Sequence, residues 1–245
     1  MTVVTDVTGH TRTAEAKPGS FYGSHDSHDS HDSHGTIITM APAITLRFLL
    51  TLAFVFALAS CGEKPPQLAR LGPADVVLAF GDSLTYGTGA GPDEAYPIVL
   101  SGLIGRQVVG AGVPGETTAD GLQRLPVALD EVKPKLLLLC MGGNDMLRKM
   151  DAAGTEANLR EMVQMAKARG INVVLIGVPT PELFGGPPAF YDRIAKEFAL
   201  PLDKKSLNDI LFDRSLKSDP IHPNATGYRH FAQAIADLLR KAGAV

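Results

Sequence analysis

Ser83 stands in the segment Gly81, Asp82, Ser83, Leu84, directly after the apolar run VVLAF at 76–80. A serine hydroxyl is a weak nucleophile and needs a neighbouring base to take its proton. Of the seven histidines, five (His10, His25, His28, His31 and His34) precede residue 35, which leaves His222 and His230 as the candidate bases. His230 precedes Phe231 in an amphipathic stretch, where a helix-surface residue is expected. His222 lies in DPIHPN, a proline-punctuated loop that can hold a side chain in one orientation at a sheet edge. Asp219, three residues earlier, can turn back to Nδ1 of the imidazole, fix its tautomer and leave Nε2 for the serine. Alone, Asp219 before Pro220 reads as a turn former. Beside His222 and a serine at a strand end it completes a nucleophile, a base and an orienting acid.

Attack on a carbonyl also needs donors for the oxyanion, each worth about 2.7 to 4 kcal/mol. Three candidates follow apolar runs: the Ser83 amide, the Gly115 amide in GVPGETT, and the Asn144 side chain in MGGNDML. Gly115 is expected to present its N–H where a side chain would block approach. Taken singly, Gly115 and the Gly142, Gly143, Asn144 run read as strand-end turn chemistry. Asp82 is expected to be structural, and Asp145 to cap the helix that follows it.

Four apolar runs have to position these residues: VVLAF at 76–80, VVGAGV at 108–113, LLLLCM at 136–141 and NVVLIGV at 172–178. None alternates with polar residues, so each predicts a strand covered on both faces. Leu159, Met162, Val163 and Ala166 share one helical face, as do Tyr228, Phe231, Ile235, Leu238 and Leu239. Pro126 is expected to break the stretch 117–130 and begin a second helical segment there. Alternating strands and helices argue for a doubly wound α/β sandwich that binds ligands beyond the carboxyl ends of its strands. GDSL, PGETT and GGND all follow such ends.

Ser83 in FGDSLTYG, Gly115 in GVPGETT, Asn144 in MGGNDML and His222 in DPIHPN occur in separate blocks, in this order. The chain thereby resembles the SGNH (GDSL) hydrolases over roughly residues 75–239. It is most similar to their bacterial thioesterase I, lysophospholipase and arylesterase group. The resemblance implies a three-layer α/β/α sandwich with a mainly parallel, flavodoxin-like sheet of five strands, and no metal or cofactor. It implies Ser83, Asp219 and His222 as the triad, with Ser83, Gly115 and Asn144 as the oxyanion hole. A small-molecule acyl ester or thioester would be cleaved through an acyl-enzyme. One departure is TPELFGGPPAF after the fourth run, where family members build part of the acyl pocket, so chain-length preference does not carry over. Two other readings are a carbohydrate O-acetyl esterase, disfavoured by the absence of Trp, and a lipoprotein that binds acylated ligands without turnover.

The chain has 245 residues, 45% of them hydrophobic and 20% charged, a globular composition. Its net charge of −3 offers no basic footprint for nucleic acid, and two cysteines make no disulfide framework. SHDSHDSHDSH at 24–34 has no apolar face; capture of a metal is weighed there against a disordered or mis-started segment over 1–39, which is preferred. Met40 to Ser60, with Arg47 and the run FLLTLAFVFALA at 48–59, reads as a signal peptide. Cys61 follows at lipobox spacing, so lipidation, a tether over 61–73 and a hydrolase domain over 74–245 are expected. Cleavage after Ala59 to a soluble form is the competing reading. Both place the protein outside the cytoplasm, in a bacterial periplasm or on a membrane, as a monomer. Cys140, at the end of an apolar run, reads as a core residue. Lys133, Pro134 and Lys135 read as a solvated loop, and Tyr86 and Tyr191 as either pocket or core.

Overall fold

The unbroken apolar run of Val76–Gly81 forms strand β1, and Val77 to Phe80 have no solvent contact. That is what a central strand with protein on both faces requires. The computed structural model describes residues 65–181 and 185–245. Strands β3 (Leu136–Cys140) and β4 (Asn172–Ile176) are buried in the same way, while β2 (Gln107–Gly112) and the two-residue β5 (Leu202–Asp203) form the edges. All pairings are parallel and the order is β2, β1, β3, β4, β5. The direction of winding therefore reverses between β1 and β3, which opens a crevice at their carboxyl ends. The sheet has the five parallel strands expected, although the apolar runs mark only four. β5 is too short to leave a pattern.

The helices are α1 (Ser83–Tyr86), α2 (Tyr96–Ile104), α3 (Thr118–Val132), α4 (Gly143–Leu147), α5 (Ala152–Ala168), α6 (Ala189–Phe198), α7 (Ser206–Phe212) and α8 (Ala225–Lys241). They pack in two groups, α2 with α8 and α7, and α3 with α5 and α6. The first is anchored by Tyr96 on Phe231, ring centroids 4.5 Å apart, and the second buries Leu159, Met162, Val163 and Ala166. Pro126 does not start a new segment: α3 runs unbroken from Thr118 to Val132 with the proline inside it. The buried Leu125 and Leu129 hold the helix to the core on either side, and this packing outweighs the hydrogen bond that proline cannot donate.

Of the stretch 61–73 expected as a tether, the described part lies along the domain. Leu68 and Leu71 donate their amides to the carbonyls of Ala242 and Ala244, both at 2.8 Å, and Leu71 is buried. Residues 1–60, with the histidine repeat and the expected signal peptide, lie outside the described residues, as does Cys61. Among the described residues no helix is long and apolar enough to cross a membrane.

Candidate active site

The turn after β1 is tight because Gly112, at the end of β2, lies against it. A Cβ on Gly112 would come within 2.1 Å of the Tyr86 nitrogen and 2.7 Å of the Asp82 carbonyl oxygen. Asp82 caps α1 by accepting the Leu84 amide at 3.0 Å, so Ser83 becomes the first helical residue. Among the described residues the Ser83 and Gly115 amides have no backbone or side-chain acceptor, so both can serve an incoming oxygen.

His222 reaches this turn from the other end of the chain. Its Nε2 lies 2.9 Å from Ser83 Oγ, and its Nδ1 lies 2.7 Å from Asp219 Oδ2. Asp219 Oδ1 accepts the amides of Ile221 and His222, both at 2.9 Å, so the three-residue turn is closed at both carboxylate oxygens. Partial burial works to raise the Asp219 carboxyl. The His222 ring and the Ile221 amide outweigh it and hold the group below the ordinary carboxylate range. The loop itself is braced: Ser218 donates its amide to the His222 carbonyl at 3.0 Å, and Asn224 donates its amide to that of Leu216 at 2.8 Å. His230 lies on the exposed side of α8, as expected.

The other candidates meet at the ends of β1 and β3. Asn144 Nδ2 donates to Asp82 Oδ2 at 3.2 Å and to the Glu116 carbonyl at 3.0 Å, so both its N–H groups have acceptors within the protein. Asp82 is buried, and the loss of water pushes its carboxyl up to about 6 against the Leu84 hydrogen bond and the attraction of His222. Gly115 has φ +79°, a left-handed conformation that favours glycine. Crowding is not the reason: the nearest atom to an added Cβ would be Arg148 Nη2, at 3.8 Å. Arg148 donates to the Gly115 carbonyl at 2.7 Å and ties this loop to the end of α4.

Several supports left no motif in the sequence. Glu116 is buried and accepts Arg124 Nε at 2.7 Å, while the guanidinium lies 4.0 Å from the Phe80 ring centroid and donates to the Ala111 carbonyl. Asp145 caps a different helix from the one expected. It accepts the amide and hydroxyl of Thr118 at the start of α3, and Asp151 caps α5 instead. Asp145 lies within α4 and reaches back to the start of α3, 27 positions earlier, a partner that sequence spacing does not give. Cys140 is fully buried, and its thiol is pushed well up by that burial. Tyr191 is also core, donating to the Met141 carbonyl at 2.7 Å, and Tyr86 is 63% exposed.

Beside Ser83 and His222 opens a cleft of about 280 Å³. Leu147, Val178 and Pro179 line one side, and Leu211, Phe212, Arg214, Lys217 and Ile221 line the segment leading to His222. Within the departing segment TPELFGGPPAF, Thr180 and Pro181 reach the cleft, and residues 182–184 lie outside the described residues. Nothing in the sequence of 206–217 marks it as a cleft wall.

A parallel sheet wound in this order, with a serine, a glycine and an asparagine at its carboxyl edge and a histidine folded over them, defines an α/β/α hydrolase. The chain belongs to the GDSL-like Lipase/Acylhydrolase family, whose profile matches residues 79–230. It is 32% identical to "Thioesterase 1/protease 1/lysophospholipase L1" of Escherichia coli over 179 residues, covering 70% of this chain and 86% of that protein. It is 36% identical to "Esterase TesA" of Pseudomonas aeruginosa over 136 residues, 54% of this chain and 67% of the other. Among solved structures it is similar to AlinE4, described as an SGNH-hydrolase family esterase, with a TM-score of 0.55 and 30% identity over 70% of this chain and 98% of that one.

Proposed function

We propose that the protein hydrolyses carboxylic esters or thioesters of acyl groups, with Ser83 as nucleophile, His222 as general base and acid, and Asp219 as the residue that orients the imidazole. The observation that carries this reading is the pair of short contacts from Ser83 Oγ to His222 and from His222 to Asp219, 2.9 and 2.7 Å. His222 Nε2 takes the serine proton as Oγ attacks the carbonyl carbon. The tetrahedral oxyanion is held by the amides of Ser83 and Gly115, and by the Asn144 N–H that meets the Glu116 carbonyl, shared between that carbonyl and the oxyanion while the other N–H stays on Asp82. His222 then protonates the departing alcohol or thiolate, and water repeats the sequence on the acyl-enzyme. No step needs a metal or cofactor.

Hydrolysis of nitrophenyl esters of rising chain length, of acyl-coenzyme A and of an acetylated sugar, each compared with Ser83→Ala, tests the reading. Turnover of acyl substrates that disappears in the variant is expected. Cleavage of the acetylated sugar alone would move the assignment to carbohydrate deacetylation, and acyl-ligand binding without any turnover to a binding protein.

The relation of the enzyme to a membrane belongs to the same proposal. Residues 40–60 act as an export signal, and Cys61, at lipobox spacing, carries the lipid. Partition of the mature protein into a detergent phase is expected, and its loss in Cys61→Ser is the check.

A further inference from the structure

His222 hands its proton to whatever leaves the scissile carbonyl, so the leaving group has to lie against the segment that holds the imidazole. That segment puts two cations into the cleft, Arg214 and Lys217. Among the described residues neither pairs with a carboxylate, whereas Arg124, Arg160, Arg169, Arg193 and Arg240 each do. Lys217 spends one N–H on the Leu211 carbonyl at 2.8 Å, which fixes the ammonium and leaves two donor directions open.

The nearby carboxylates accept their hydrogen bonds from other groups, and among the described residues none forms an ion pair with Arg214 or Lys217. Asp213 accepts the amide and hydroxyl of Ser215, Asp219 holds His222 and Ile221, and Asp82 holds Leu84 and Asn144. The bonds from Ser218 to His222, from Asn224 to Leu216 and from Asn224 Nδ2 to the Ser215 carbonyl keep both cations in register with the imidazole. An approaching ligand therefore meets two cations that have donors to spare on the leaving-group side, with the apolar Phe212 and Ile221 lining the same cleft.

We propose that Arg214 and Lys217 are specificity residues that favour substrates whose leaving group carries a phosphate. A guanidinium fork and a point-charge ammonium together suit a multi-oxygen anion better than a neutral alcohol. This rests on the hydrolase reading above. The phosphate can belong to a lysophospholipid headgroup or to the phosphorylated chain of a coenzyme A thioester, and both present the same charge.

The test compares kcat/KM for three substrates with one octanoyl chain: the coenzyme A thioester, the lysophosphatidylglycerol and the neutral nitrophenyl ester. The proteins are the wild type, Arg214→Gln/Lys217→Gln and the charge-preserving Arg214→Lys/Lys217→Arg. In the glutamine pair, the ratio of at least one phosphate-bearing substrate to the neutral ester is expected to fall roughly tenfold or more, chiefly through KM. The charge-preserving pair keeps that ratio, and added salt erodes it in the wild type but not in the glutamine pair. Whichever phosphate substrate loses its advantage identifies the source. An equal loss on all three substrates overturns the proposal and leaves ester hydrolysis standing. Absence of wild-type turnover removes the hydrolase reading instead. Calorimetric binding of coenzyme A and of glycerol 3-phosphate then decides: weaker binding in the glutamine pair supports the phosphate site, and unchanged binding overturns it.

Discussion

Asn144 Nδ2 donates to Asp82 Oδ2 across 3.2 Å, linking the residue that follows β1 and precedes Ser83 to the first turn of the helix that follows β3. These strands are neighbours in the sheet although 62 positions separate the two side chains. The bond fixes which way the Asn144 amide faces, because its oxygen cannot turn toward a carboxylate. It also leaves a buried charge in the floor of the site.

That charge gives a signed pH dependence. Folding raises the Asp82 carboxyl from 3.8 to about 6, so between these values the folded chain holds a proton that the unfolded chain has released. The contribution of Asp82 to stability is therefore greatest at low pH, falls as pH rises through this window and is flat above it. Urea midpoints measured across the window for wild type and Asp82→Asn should differ in slope, the wild type losing more stability as pH rises. Parallel curves would contradict the assignment. Asp219 has the opposite sign: its lowered carboxyl contributes stability above the ordinary carboxylate range and loses it as pH falls.

The triad members should not be equivalent. The His222 side chain is 14% exposed and the Asp219 side chain 43%, so water can partly replace the carboxylate at Nδ1 but cannot replace the imidazole at Oγ. Ser83→Ala and His222→Ala are expected to lower kcat by roughly 10⁴-fold or more, and Asp219→Ala by about a hundredfold less than either. Steady-state kinetics on a nitrophenyl ester reads this order, and an Asp219 loss as large as that of His222 would refute it.

Pro126 offers a stabilising substitution far from the chemistry. It sits inside α3, a helix that the buried Leu125 and Leu129 already hold to the core, so Pro126→Ala restores one backbone donor without moving the packing. A gain of about 1 to 3 kcal/mol is expected, or roughly 2 to 4 °C in Tm for each kcal/mol in a domain of this size. Calorimetry checks it, and a lowered Tm would mean that the proline ring itself packs favourably.

The central strands and the catalytic residue types were legible in the sequence because both depend on local pattern. A short apolar run such as LLLLC, spaced regularly with three others, points to a strand buried on both faces, and a serine, a glycine, an asparagine and a histidine in separate blocks need no coordinates to be noticed. The short β5, the continuous α3 and the capping direction of Asp145 were not legible, since each is decided by a neighbour distant in the chain. The same holds for the buried Glu116 and Arg124 pair and for the cations of the cleft wall, where the meaning of a charge depends on which carboxylates fold close enough to neutralise it. The sequence by itself determined which residues could react. Only the tertiary structure decided that Ser83 and His222, 139 positions apart, face each other at hydrogen-bond distance, because that contact is made by the winding of the sheet and the bracing of the last loop.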